Sequence, residues 1–187
     1  MSATPAYLKD AKDVLTEQGF TTSNVWYHGT SSELLESIQA DGLKRSGDKA
    51  IKESLKKTMA TIQHEVQDSV EPVFLTPSKE LAYYWAEQKT RERQARLGGN
   101  DKPVVLAVNL PEDLNAKVKP DVGAASLLLL EEGEHFLAHL AKIYQDNNAG
   151  IPEIDLMKAE RMEYLSVLGM AYLDSDIDAE YVSVVAD

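Results

Sequence analysis

The stretch VWYHGTSSELLESIQADGL at residues 25–43 constrains the fold more than any other, because it leaves no room for a loop. Residues 24–27 (Asn24, Val25, Trp26, Tyr27) are β-prone and read as a short strand. Thr30-Ser31-Ser32-Glu33 matches a capping box, in which the Thr30 hydroxyl accepts from the Glu33 amide. Leu34, Leu35 and Ile38 then give an apolar helical face, and Gly42 with Leu43 behind it reads as the stop. The order is strand, tight turn, helix, with His28 on the turn side of the strand. Such a histidine is either a satisfied core hydrogen-bonder or the first piece of a site, and the rest of the chain has to decide.

Elsewhere the pattern alternates helix and strand. Residues 5–18 carry Tyr7, Leu8, Ala11, Val14 and Leu15 at helical spacing, which predicts an N-terminal helix within residues 1–20 closed at Gly19. Residues 44–71 are polar and lysine-rich, a surface insertion with a predicted helix over 49–67. Pro72-Val73-Phe74-Leu75 reads as a strand, and Thr76-Pro77 as the cap and first position of a helix that runs to Arg96. PVVLAVN at 103–109 is continuous and β-branched, hence a buried strand. A turn and a short strand are expected over 111–121 and helix over 124–147, within a second helical insertion at 123–150. Residues 154–173 fit helix, strand or both, and Val182, Val184 and Val185 support a final strand. The expectation is a single α+β domain over 1–187.

Composition narrows the functions. At 43% apolar and 27% charged, the chain has the make-up of a folded domain, not a disordered one. It holds no run of about 18 apolar residues, so no membrane span is expected. The N-terminus lacks the basic, then apolar, start of a secretory signal, which points to a cytoplasmic location. With no cysteine, disulfides, thiolate metal sites and cysteine nucleophiles are excluded. A formal charge of −12 repels an extended polyanion, so nucleic acid is a disfavoured partner, whereas a small anion needs only a local basic patch.

His135 and His139 sit four apart on a predicted helix, as zinc-binding pairs do. The intervening residues are FLA, without the glutamate of a metalloprotease motif, and no third ligand suggests itself. An amphipathic helix is the reading here, and no metal is expected. No phosphate-cradling glycine loop occurs, and Gly98-Gly99 reads as a helix stop.

Three separated stretches together resemble the ADP-ribosyltransferase fold of the poly(ADP-ribose) polymerase type. Tyr27-His28-Gly29-Thr30, followed by a helix closing on Gly42-Leu43-Lys44, is similar to that family's first motif. VFLTPSKELAYYWA at 73–86 resembles the second, and DAEYVSVV at 178–185 the third. The resemblance implies a split β-sheet core with flanking helices, and NAD as co-substrate. It implies that His28, Gly29, Thr30 and Ser78 hold NAD, with His28 also in the catalytic set, and that Lys44 meets the pyrophosphate in place of the family's arginine. It implies a stacking tyrosine, Tyr84 or, in the ungapped count, Tyr83. It implies a catalytic glutamate, Glu180 or, from the echo Glu163-Tyr164-Leu165-Ser166-Val167, Glu163.

The chemistry suits such a set. The pyridinium leaves NAD as a neutral molecule, so the site needs no general acid, only fixation of the nicotinamide and stabilisation of a cationic ribose. A glycine lets backbone groups approach the carboxamide, an aromatic face suits the pyridinium, and a carboxylate offsets the developing charge. The implied activity is transfer of ADP-ribose from NAD to a protein or other macromolecular acceptor. NAD hydrolysis uses the same set. The RNA 2'-phosphotransferases, which share the fold, and a non-catalytic module that keeps it are the other two readings.

Overall fold

The computed structural model describes residues 3–61, 70–151 and 153–186. Its first twenty residues are not one helix. A 3-10 turn (Ala6–Leu8) and the four-residue α1 (Ala11–Val14) lead into a small hairpin, β1 (Leu15–Thr16) and β2 (Gly19–Phe20). The break has a tertiary cause at Asp10. Its buried carboxylate accepts from the Ser78 hydroxyl at 2.7 Å and from the amides of Lys79 at 2.7 Å and Glu80 at 3.3 Å. Those bonds satisfy the orphan amides at the start of a distant helix, and the segment takes the shape that serves them.

The strand β3 spans Val25–Ser31, longer than its sequence suggests. Thr30 therefore lies inside a strand and makes no capping box. After a 3-10 turn (Ser32–Leu34), α2 (Leu35–Asp41) carries Ile38 into the core. It stops at Gly42 as expected, with φ of 81°. A side chain there would fall 2.0 Å from the Ile177 carbonyl oxygen, so both conformation and space demand glycine. Helix α3 (Lys49–Ala60) follows, N-capped by Asp48; residues 62–67 of the expected helix lie outside the described residues.

Strand β4 (Val73–Leu75) leads to the nineteen-residue α4 (Lys79–Leu97). Its N-cap is Ser78, whose hydroxyl accepts from the Leu81 amide, and not Thr76, which extends the strand through a bridge to Tyr27. Strand β5 (Pro103–Asn109) has the bounds read from sequence. Three short elements, α5 (Glu112–Asn115), β6 (Lys119–Pro120) and α6 (Ala125–Leu128), lead to the sixteen-residue α7 (Glu131–Asp146). The ambiguous stretch after residue 154 proves to be both helix and strand, as α8 (Glu163–Ser166) and β7 (Ala171–Leu173). The last strand is β8 (Val182–Val184).

The strands form two antiparallel three-stranded sheets beside that hairpin, in the orders β3-β5-β8 and β4-β7-β6. Among the described residues the sheets touch through one bridge, in which Tyr27 and Thr76 exchange both backbone bonds at 2.8 and 3.0 Å. Trp26, Leu106, Val108, Val73, Leu75, Leu173 and Ile177 form a core cluster common to both sheets. On the other face, Ala82 and Tyr83 of α4 pack with Leu8, Val105 and Tyr27. A third cluster joins α4 to α7 through Leu81, Tyr84, Phe136 and Leu140. The chain is thus α+β. Among the described residues no helix is long and apolar enough to cross a membrane.

Candidate functional site

The site begins where β3 and β4 part. In an antiparallel ladder, successive residues turn their backbone groups to opposite sides. Tyr27 turns its amide and carbonyl to Thr76 on β4, while the flanking even-numbered residues serve β5, as shown by Leu110 donating to Asn24 and Ser32 to Lys102. Gly29 therefore turns both backbone groups to the β4 side. Continuing the Tyr27–Thr76 register would set Phe74 opposite Gly29, but the ladder has ended there. The half-buried His28 ring takes the Phe74 carbonyl instead, at 2.8 Å from Nδ1.

That bond determines the tautomer. A carbonyl only accepts, so Nδ1 carries the proton, and in the neutral ring Nε2 keeps a free lone pair. Burial holds the His28 imidazole below the ordinary histidine value of 6.5; the Phe74 bond opposes this and the Lys89 charge reinforces it. At neutral pH the ring is therefore an uncharged acceptor, suited to a ligand hydroxyl.

Gly29 faces α4 at backbone contact. A Cβ there would lie 2.1 Å from the Ala82 carbonyl oxygen and 2.5 Å from the Ala86 nitrogen. The stripe Ala82, Ala86, Lys89 and Arg93 follows helical spacing up the same side of α4. Its upper end enters a chain of buried polar groups. Arg93 donates through Nη1 to Asp48 at 2.5 Å and through Nε to Asp101 at 2.7 Å, and Asp101 accepts from the Ser31 hydroxyl at 2.6 Å. Burial pushes both carboxyls up, but the hydrogen bonds from Arg93, and from Ser31 at Asp101, outweigh it and hold both below the usual carboxylate range. Lys89 is a looser member of the chain, 3.4 Å from Asp48 and 3.7 Å from Glu92.

No family model, no curated protein and no solved structure matches this chain. The site stands on its own geometry, which brings together His28, Gly29, Phe74 and Lys89.

Several residues expected at the site are elsewhere. Tyr84 is 2% exposed, stacked on His139 with ring centroids 5.0 Å apart and edge-on to Phe136. Its side of α4 faces α7, so it offers no platform to His28. Tyr83, next to the Ala82 that meets Gly29, packs on the sheet with Tyr27 and Val105 and is buried there. Thr30 is buried in the ladder and Ser78 is spent on capping. Lys44 pairs with Asp176 at 3.7 Å, in an open polar hollow of about 710 Å³ shared with Arg45 and Asp174.

The glutamates are displaced too. Val184 pairs with Leu106, and Leu106 with His28, so β8 lies two strands from β3, about 10 Å across the sheet. Glu180 lies two residues before β8 begins, displaced further from the line that joins Val184, Leu106 and His28. It is exposed on the 3-10 turn Ala179–Tyr181. Glu163 caps its own turn, accepting from the Glu160 amide at 2.5 Å. Of the two histidines spaced four apart on α7, His135 is exposed while His139 lies against Tyr84.

Two residues now at the site were not singled out in the sequence. Phe74 is 46% exposed, on the face shared with Gly29, beside its cross-strand partner Tyr172. Its exposure was not readable in the sequence, because Pro72-Val73-Phe74-Leu75 is a continuous apolar run that shows no alternation of faces. Lys89 carried no signal either, because its place depends on how α4 crosses β3. A second hollow of about 650 Å³ belongs to the α7 cluster; it is lined by Leu137, Leu140, Ile154 and Leu168 together with the carboxylates Glu153 and Asp155, and among the described residues holds neither a histidine nor a cation.

Proposed function

We propose that the opening between β3 and β4 is an NAD site of the ADP-ribosyltransferase type, and that the chain transfers ADP-ribose from NAD to a macromolecular acceptor. One observation carries this reading: Gly29 turns an amide and a carbonyl to the open side of its strand, flush against α4, beside a histidine locked as an acceptor. The order β6-β7-β4 next to β3-β5-β8, joined by a single bridge, is consistent with a split-sheet core.

In this reading the Gly29 amide and carbonyl hold the nicotinamide carboxamide, and His28 Nε2 accepts from a ribose hydroxyl. The Phe74 ring supplies the aromatic face that the resemblance implied for Tyr84 or Tyr83. The bond from ribose C1' to the pyridinium nitrogen breaks, and its electron pair leaves with neutral nicotinamide. An acceptor oxygen or nitrogen then bonds to C1' and releases its proton to water. Rigid donors aimed at the departing group contribute by fixing the geometry.

The place of Glu180 favours a second reading, a nucleotide-binding module without turnover, since no expected glutamate lies beside His28. Calorimetric titration with NAD, combined with nicotinamide release in the presence of cell extract, separates the two. Binding with release and labelled product supports transfer, and release without labelled product supports hydrolysis. Binding alone supports the module, and no binding of NAD removes both.

A further inference from the structure

We infer that Lys89 is the cation that receives the diphosphate of the cleft's ligand, an inference that rests on the nucleotide reading above. Ala82 and Ala86 fix α4 on Gly29 at backbone contact, and Lys89 is the next residue up that stripe, less than one helical turn beyond Ala86. Its side chain is 27% exposed, against 10% for Arg93 and 2% for Asp48, so it alone of the three keeps a path to solvent.

Its present partners hold it weakly. The 3.4 and 3.7 Å separations to Asp48 and Glu92 exceed the usual length of a charge-assisted hydrogen bond, about 2.7–2.9 Å. The same oxygen of Asp48, Oδ2, already accepts from Arg93 at 2.5 Å, and Oδ1 accepts from the Ile51 amide at 3.3 Å. When Lys89 turns to an anion, Asp48 stays neutralised and hydrogen-bonded, and α3 keeps its N-cap. A lysine suits this task, since its ammonium is a point charge on a flexible stem that can follow a phosphate group. Lys44, the cation assigned by resemblance, lies elsewhere, in the polar hollow with Arg45, Asp174 and Asp176.

The test compares two probes that share the nicotinamide-ribose end, NAD with a diphosphate and nicotinamide riboside without one. Dissociation constants come from NMR titration of the native chain, Lys89→Gln and Lys89→Arg, with folding checked by circular dichroism. Lys89→Gln is expected to weaken NAD about ten-fold, the loss of one charged contact, and to leave nicotinamide riboside unchanged. Lys89→Arg, which keeps both charge and fold, is expected to stay within about three-fold of native for NAD. Equal effects on the two probes, or none on either, overturn the assignment while leaving the nucleotide reading in place. Failure of the native chain to bind either probe overturns both.

Discussion

Gly29 and Ala82 meet backbone to backbone: a Cβ on the glycine would sit 2.1 Å from the alanine's carbonyl oxygen. Neither partner can give way as a flexible side chain would, because one belongs to a paired strand and the other to a nineteen-residue helix. Gly29→Ala is therefore expected to destabilise the fold by about 2–4 kcal/mol, as α4 lifts from β3. Urea denaturation measures it, and a change below about 1 kcal/mol would mean that the contact is looser than this.

Arg93 holds two buried carboxylates with different nitrogens of one guanidinium. Arg93→Met leaves Asp48 and Asp101 without that charge, and should cost about 3–5 kcal/mol. Arg93→Lys is expected to recover little, because one ammonium cannot reproduce the fork. The two variants compared by thermal and chemical unfolding check the point. Full rescue by lysine would show that charge alone matters.

Acid should weaken the protein in two stages. Burial lowers both His28 and His139 from 6.5, with Lys89 adding to the first, and Glu87 opposing but Lys142 adding to the second. A lowered histidine pKa means that the unfolded chain binds the proton more readily. The stability these rings confer is complete above pH 6.5 and declines as pH falls through their folded values. Asp48 and Asp101, lowered from 3.8, add a second decline below that value by the same sign rule. Melting temperatures from pH 8 to 3 should show both, and His139→Leu should flatten the first. A first decline unchanged in that variant would rule out His139 as a contributor.

Glu180→Gln is expected to change stability by less than about 0.5 kcal/mol, as for other exposed positions, and to leave NAD affinity within about two-fold. Calorimetry with NAD checks the second part. Loss of NAD binding in this variant would place the ligand near β8 instead of between β3 and β4.

Much of the framework is legible in the sequence. Strand β5 has the bounds that its β-branched run suggests, and α4 ends at the expected glycine. Gly42 stops α2 because its left-handed backbone is a local demand. The N-terminal segment was not legible, because Asp10 is recruited by amides sixty-nine and seventy residues away. Thr30 misled for a similar reason: its backbone is claimed by β5, and that partner outweighs one side-chain cap.

Local interactions were what the sequence could express on its own: strand-prone runs, helix stops, and a His28-Gly29 pair at the end of an apolar stretch. Which groups share a site was decided by long-range packing. Tyr83 and Tyr84 are neighbours, yet the roughly 100° step between helical positions sends one to the β-sheet and the other to α7. Glu180 and His28 look like partners in a motif, yet β5 lies between their strands. Phe74, which its motif does not single out, and Lys89, which lies outside every motif, arrive at Gly29 because β4 meets β3 at a bridge and α4 rests on the one residue there without a side chain.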